Sequence, residues 1–287
     1  MNTGSPILDA PLLEAFAMIE LITTMFSYHF MQRAMIVGVL VSLCAALLGV
    51  SLVLKRYSMI GDGLSHVGFG SLAIATAMGL SPMIVTIPVV VAAAFLLLRL
   101  STRGKLKGDA AIAMISTGAL AIGVIVLSLS TGITSDVNNY LFGSVLAMSV
   151  FDVKLSIVLA IGVLLLFIVF YRQIFAVTFD ETFARATGSH AEAYNMLLAL
   201  LTAVTIVLGM RVMGAMLISS LIIFPALTAM RVCKSFRSVT ICAAFVSVFC
   251  FFIGLVMSYL LSTPAGASVV VMNILAFILF SVIGIKR

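Results

Sequence analysis

Apolar runs of about 20 residues recur along the whole chain and are separated by short polar segments. Each run is long enough to cross the hydrocarbon core of a bilayer, and it must do so as a helix because no water is present there to pair free backbone groups. The pattern predicts an all-α polytopic membrane protein with about eight or nine transmembrane helices. The predicted spans cover residues 34–54, 59–78, 82–98, 110–130, 155–171, 194–209, 212–230, 239–260 and 268–285.

One apolar stretch is too long for a single crossing. Residues 194–230 are interrupted only by Arg211, and as one helix they would be about 55 Å long. Basic segments flank this stretch on the same side, which requires an even number of crossings. We therefore predict two spans here, with a sharp turn at residues 209–211.

The start of the chain differs from the other apolar segments. Residues 12–28 are apolar but contain Glu14 and Glu20. We expect residues 1–29 to form an amphipathic segment that lies in the membrane interface. A tenth span is the alternative.

Composition and charge placement support a membrane protein of defined orientation. The chain of 287 residues is 63% hydrophobic and only 9% charged, which excludes a soluble globular domain. Its net charge of +6 does not indicate a nucleic-acid partner, because thirteen of the sixteen basic residues fall on one side of the predicted spans. These thirteen are Lys55, Arg56, Arg99, Arg103, Lys105, Lys107, Arg172, Arg185, Arg231, Lys234, Arg237, Lys286 and Arg287. The positive-inside rule then places the C-terminus and the loop 173–189 inside and the N-terminus outside the cytoplasmic membrane.

Asp62 is the only acid, and His66 the only histidine, that fall well inside a predicted span. At a spacing of i, i+4 both project from one face of a helix. A carboxylate in a bilayer costs about 3 kcal/mol on insertion scales, and such residues usually mark an ion or substrate path. A carboxylate with an imidazole suits a divalent transition metal. The alternative is structural: the two side chains bond to each other or to a neighbouring serine and hold the bundle together.

The surroundings of this pair indicate a helix in the centre of the bundle and argue against an enzyme. Four glycines fall within residues 61–70, and small residues let membrane helices approach closely. The order Gly61-Asp62-Gly63 is not the Gly-x-Gly-Asp of intramembrane aspartyl proteases, and no second span offers a partner acid. The sequence has no Gly-x-x-x-x-Gly-Lys-Ser/Thr motif, so we expect no ATP hydrolysis by this chain.

The loop 173–189 has the pattern of a short helix. Asp180 and Glu181 suit its first turn, and Gly188 suits its C′ position. Phe179 and Phe183, at i, i+4, are predicted to share one face, which indicates a docking surface for a partner. The alternative is that this face packs onto the ends of the chain's own spans.

With these motifs the chain resembles the permease subunits of the ABC importers for zinc, manganese or iron. The matching stretches run nearly end to end: FMQRA at 30–34, GDGLSH at 61–66, YLFGS at 140–144, FDETFAR at 179–185, VMGAML at 212–217, PA at 225–226 and PAG at 264–266. One departure is local, since members often have an acid just before the last motif, where this chain has Ser262 and Thr263.

The resemblance implies a fold, partners and roles. Residues 30–287 would form a transmembrane permease domain that dimerises around a central path. Two cytoplasmic ATPase subunits would drive it, and an extracytoplasmic binding protein would deliver the metal. Asp62 and His66 would be the metal ligands of the path. The residues of the helix that couples to the ATPase would be Phe179, Asp180, Glu181, Phe183, Arg185 and Gly188.

The predicted function is import of a divalent transition metal across the cytoplasmic membrane, with zinc favoured and manganese next. Imidazole favours zinc over manganese, whereas a carboxylate serves both. Zn²⁺ or Mn²⁺ would be cargo, and we expect no permanently bound cofactor. A proton-coupled secondary metal transporter is the alternative.

Overall fold

The computed structural model describes residues 20, 23–103, 108–130, 141, 143, 149–215 and 217–285. The prediction for residues 1–29 lies largely outside this part of the chain, although residues 23–27 are helical. The helices are α1 (His29–Leu54), α2 (Ser58–Ala77), α3 (Pro82–Arg103), α4 (Gly108–Leu129), α5 (Val150–Val169), α6 (Tyr171–Phe179), α7 (Glu181–Ala186), α8 (Ala191–Met213), α9 (Ile218–Val232), α10 (Phe236–Leu261) and α11 (Ala265–Ile285).

The all-α polytopic prediction is confirmed. Within the described residues, seven helices are long and apolar enough to cross a membrane, and α9 is a shorter apolar helix. The helix α2 has sufficient length, but its glycines, Asp62 and His66 make it less apolar than the seven. Together these nine helices correspond one to one with the nine predicted spans.

The predicted turn at residues 209–211 is wrong, because α8 continues to Met213 and α9 begins at Ile218. Gly214 has φ +86°, a conformation that glycine adopts at no steric cost. Gly209 is needed for a different reason. A Cβ there would lie 2.1 Å from Cδ1 of Ile218, so this glycine admits the first turn of α9 against α8.

Helix α2 lies in the interior of the bundle. Thirteen of its 20 residues are buried, and it packs against α3, α4, α8 and α9. Its contact with α4 is close: a Cβ on Gly70 would lie 2.6 Å from the carbonyl oxygen of Ala119, and one on Gly123 would lie 3.0 Å from Cα of Gly70. The glycines therefore let two backbones meet, as small residues do in membrane bundles.

Polar contacts group the helix ends into two sets. Nη2 of Arg211, at the end of α8, lies 2.9 Å from Oδ2 of Asp152, in the first turn of α5. Nζ of Lys55, which follows α1, lies 3.5 Å from Oε2 of Glu181, at the start of α7. Each contact joins two ends that lie on the same side of the membrane when successive spans cross it in alternating directions.

The contact between α1 and α9 gives a first prediction. A Cβ on Gly49 would lie 2.0 Å from the carbonyl oxygen of Ile222, a backbone atom that cannot move aside independently. We expect Gly49→Ala to destabilise the protein by about 2 kcal/mol, as overpacking typically does. Gly162→Ala is the matched control, because a Cβ on this helical glycine of α5 meets nothing within 4 Å.

Thermal unfolding of the detergent-purified variants measures the difference. The unfolding midpoint should fall for Gly49→Ala and stay at or above the wild-type value for Gly162→Ala. Equal midpoints for the two variants would contradict the close approach of α1 and α9.

Candidate metal site and coupling segment

Asp62 and His66 lie one turn apart on α2, and their side chains face each other. Oδ2 of Asp62 is 3.7 Å from Nε2 of His66, which is too long for a hydrogen bond. Two donor atoms bound to one Zn²⁺ at about 2.0–2.2 Å, with a tetrahedral angle between them, are about 3.4 Å apart. The separation of the two atoms is thus close to that of two ligands on one metal ion.

The side chains of this pair are partly exposed although the other residues of the segment 60–70 are buried. The exposed fraction is 39% for Asp62 and 14% for His66. Ser58 and Met59, one turn earlier, are also incompletely buried. Together these four residues form a half-exposed strip at the first half of α2, which we call the α2 strip.

The other carboxylate oxygen of Asp62 has a partner from another helix. Oγ of Ser219, in the first turn of α9, donates a hydrogen bond of 3.2 Å to Oδ1 of Asp62. The alternative in which this pair only holds the bundle together requires such a bond to a neighbouring serine. Nδ1 of His66 is buried, and it has no hydrogen-bond partner among the described residues.

The donor set within one chain is small. Among the described residues, no group of three or more His, Cys, Asp and Glu side chains could hold a metal ion together. Asp62 and His66 therefore supply two donors, which is half of a tetrahedral zinc shell. Completing the shell requires further donors.

The second candidate region is the short helix α7. Asp180 is its N-cap, and Oδ1 of this residue accepts a 2.8 Å hydrogen bond from the backbone N–H of Phe183. Glu181 lies in the first turn and Arg185 in the last, each with the charge that the helix dipole favours there. Gly188 follows the C-cap with φ +85°. The predicted helix and its ends are confirmed, with Asp180 as the cap itself.

Phe179 and Phe183 do not share a helix face, contrary to the prediction. Phe179 ends α6, and Asp180 is extended before α7 begins, so the spacing of i, i+4 does not fall on one helix. The Phe179 ring packs 4.9 Å from the ring of Phe175 and 6.0 Å from that of Phe236, at the start of α10. The side chain of Phe183 is 65% exposed. Phe179 is 60% exposed in spite of these ring contacts, so self-packing covers only part of its ring, and Phe183 is the exposed aromatic residue of α7 itself.

A buried cation connects α7 to the transmembrane helices. The side chain of Lys55 is 7% exposed. Its Nζ donates to Oδ1 of Asn195 on α8, and to the carbonyl oxygen of Val177 on α6 at 3.1 Å, besides the contact with Glu181. Nδ2 of Asn195 donates a 3.0 Å bond to the same Oε2 of Glu181. Lys55 thus joins the end of α1 to three other helices.

The charges of this network stabilise one another. Burial lowers the pKa of Lys55 below its ordinary value, and the carboxylate of Glu181 offsets part of that effect. Burial also acts to raise the pKa of Glu181, but the bond from Asn195 and the charges of Lys55 and Arg185 outweigh it, so this pKa is lowered. Nη2 of Arg185 lies 2.6 Å from Oε1 of Glu181. Glu181 therefore remains anionic at neutral pH.

Comparison with known proteins identifies the family of this chain. Residues 27–284 match the ABC 3 transport family (ABC-3). The chain belongs to this family. It is 29% identical to the manganese import system permease protein ScaB of Streptococcus gordonii, over 93% of this chain and 96% of that protein. It is 30% identical to the high-affinity zinc uptake system membrane protein ZnuB of Haemophilus influenzae, over 88% of this chain and 97% of that protein.

A solved structure extends the match to three dimensions. The chain superposes on PsaBC from Streptococcus pneumoniae in complex with Fab with a TM-score of 0.83, at 28% identity, over 91% of this chain and 94% of that one. The fold is therefore that of an ABC importer permease, and the chain is a multi-pass membrane protein. Family membership confirms the resemblance drawn from the motifs.

Three residues of these sites were not found from the sequence of this permease. Lys55 was counted only as one of the basic residues that set the orientation. Asn195 and the pair Ser219–Ser220 are polar residues within long apolar runs, and this is the one signal of them in the sequence. Their partners come from distant parts of the chain, 140 residues apart for Lys55 and Asn195 and 157 for Asp62 and Ser219.

The network around Lys55 gives a second prediction. Lys55→Met removes the cation that Glu181, Asn195 and Val177 share, and we expect the free energy of unfolding to fall by about 2 kcal/mol, between the values for exposed and buried pairs. Arg56→Met is the control, because Arg56 is the adjacent basic residue and is exposed. Thermal unfolding in detergent and the rate of protease cleavage near α7 test this. Identical behaviour of the two variants would show that Lys55 does not hold α7.

Proposed function

We propose that this chain is the permease subunit of an ATP-driven importer that carries a divalent transition metal ion across the cytoplasmic membrane. The observation that carries the proposal is the pair of donors, Oδ2 of Asp62 and Nε2 of His66, at a separation suited to one metal ion. Relatives named for manganese and for zinc support the class of cargo. Membership of the ABC 3 transport family favours ATP-driven transport over the proton-coupled alternative.

Two copies of the chain would form the path. The α2 strip is incompletely buried in one chain, and a second copy facing it would bring two more donors to the same place. Two Asp62 and two His66 side chains would then provide four donors, the number that a tetrahedral zinc ion takes. An imidazole in the set favours zinc over manganese, so we propose zinc as the preferred cargo and manganese as the next.

The remaining partners would bind at the two ends of the bundle. An ATPase subunit would dock at α7, where Phe183 is exposed on a helix held by Lys55, with two such subunits for two permease copies. An extracytoplasmic metal-binding protein would deliver the ion at the opposite end. This orientation puts the N-terminus outside and the C-terminus inside, as the distribution of basic residues predicts.

Asp62→Asn tests the metal path. Asparagine keeps an oxygen that can accept from Ser219, so the packing remains while the charge and one donor are lost. Uptake of Zn²⁺ and Mn²⁺ should fall by about 100-fold or more, because outer-shell changes alone typically reduce metal binding by 10–100-fold. Initial uptake rates in reconstituted vesicles measure this.

The matched control is Asp109→Asn, which removes an exposed acid from the first turn of α4. It should transport at the wild-type rate. Wild-type uptake by Asp62→Asn, with normal insertion, would remove Asp62 from the path. Loss of the folded protein with transport by whatever remains would instead support the structural alternative.

Phe183→Ala tests the coupling segment. Truncating an aromatic anchor at an interface costs about 2 kcal/mol or more when it is a hot spot. The ATPase subunit should therefore co-purify poorly with the variant while the permease itself remains folded. Phe245→Ala, at an exposed phenylalanine in the middle of α10, is the control and should retain the ATPase. Equal retention of the ATPase by the two variants would exclude Phe183 from the docking surface.

A further inference from the structure

Ser219 reaches Asp62 because the first turn of α9 is held in place by two glycines on neighbouring helices. Ile218 lies against Gly209 of α8, and the backbone of Ile222 lies against Gly49 of α1. Ser219, between them, is 8% exposed, and its hydroxyl is directed to α2. The position of this hydroxyl therefore depends on how the Ile218 side chain and the Ile222 backbone pack against these glycines.

The two oxygens of the Asp62 carboxylate have different neighbours. Oδ1 accepts the 3.2 Å hydrogen bond from Ser219, and Oδ2 faces Nε2 of His66 at 3.7 Å. The hydroxyl of Ser65 donates to the backbone carbonyl of Asp62, at 2.7 Å, and not to its carboxylate. The oxygen beside the imidazole is thus the one presented to an ion, and the other is engaged by α9.

We infer that Ser219 is a positioning residue that sets the metal preference of the path. By holding Oδ1, it limits Asp62 to a single donor oxygen. One oxygen and one imidazole from each of two chains give the four donors of tetrahedral zinc. Manganese prefers about six mainly oxygen ligands, which two-oxygen binding by each carboxylate would help to supply. The hydrogen bond from Ser219 therefore favours zinc over manganese. This inference rests on the proposed function.

Ser219→Ala removes the donor and frees Oδ1 to bind the ion. We expect the affinity for Mn²⁺ to rise relative to that for Zn²⁺, so that the ratio of the Mn²⁺ to the Zn²⁺ dissociation constant falls about tenfold, the size of effect expected from one hydrogen bond to a charged group. Ser219→Thr retains the hydroxyl and should keep the wild-type ratio. The measurement is competitive binding of Zn²⁺ and Mn²⁺ to the full chain purified in detergent.

The chain offers a matched control next to Ser219. Oγ of Ser220 donates to the carbonyl oxygen of Leu217, the residue before α9, and the bond is local. Ser220→Ala removes a hydroxyl from the same turn without touching Asp62, and it should keep the wild-type ratio. A purely structural role for Ser219 would lower the affinities for both metals equally or leave both unchanged, and either result would overturn the inference.

Two further variants keep the test decisive. If Ser219→Ala does not fold, Ser219→Cys replaces it, because a thiol is a weaker hydrogen-bond donor than a hydroxyl. The ratio of dissociation constants should then shift in the same direction by a smaller amount. An unshifted ratio would again overturn the inference. In the same assay, Asp62→Asn distinguishes a failure of the proposed function from a failure of the role of Ser219. If it binds both metals as the wild type does, the proposed function fails. If it loses both while Ser219→Ala keeps the wild-type ratio, only the role of Ser219 fails.

Discussion

Transmembrane helices are not drawn together by a hydrophobic force, since lipid tails are as apolar as leucine side chains, and their association depends on how closely their backbones approach. In this permease, glycines provide that approach where it is needed. Gly49 admits the carbonyl group of Ile222, Gly209 admits Ile218, and Gly70 admits the carbonyl group of Ala119. The first two contacts fix the start of α9, and the third fixes α2 against α4. The neighbours of Asp62 follow from these contacts.

Helix α1 contacts both the region of the candidate metal site and α7, the candidate coupling segment. Its Gly49 packs on α9, which brings Ser219 to Asp62, and Lys55 at its end binds Glu181 of α7. The two positions are six residues apart, or about 9 Å along a helix. A regular helix transmits displacement over so short a distance, since its hydrogen bonds resist stretching. Helix α1 therefore links α7 to α9 through these two contacts.

The sequence predicted the spans because each needs only a local apolar run, and it predicted α7 because its caps are local too. The turn after α8 was misplaced because glycine serves two purposes: Gly214 adopts a positive φ, whereas Gly209 only makes room for Ile218. Phe179 and Phe183 were assigned to one face because the extended conformation of Asp180 between two helices leaves no trace in periodicity. The contacts of Lys55 and Ser219 depend on packing between distant segments, which periodicity cannot reveal.

Import of an ion requires a site that can release the ion as well as bind it. Within the described residues one chain offers two donors, Asp62 and His66, which is too few to hold a zinc ion firmly. In the proposed dimer, the number of donors around the ion depends on the distance between two α2 strips. Among the described residues, Nδ1 of His66 has no acceptor for the hydrogen bond that a metal-binding histidine usually donates, which orients the ring and raises its basicity. A small separation of the two helices would therefore be enough to release the ion. In the proposed importer, ATPase subunits at α7 would drive that separation.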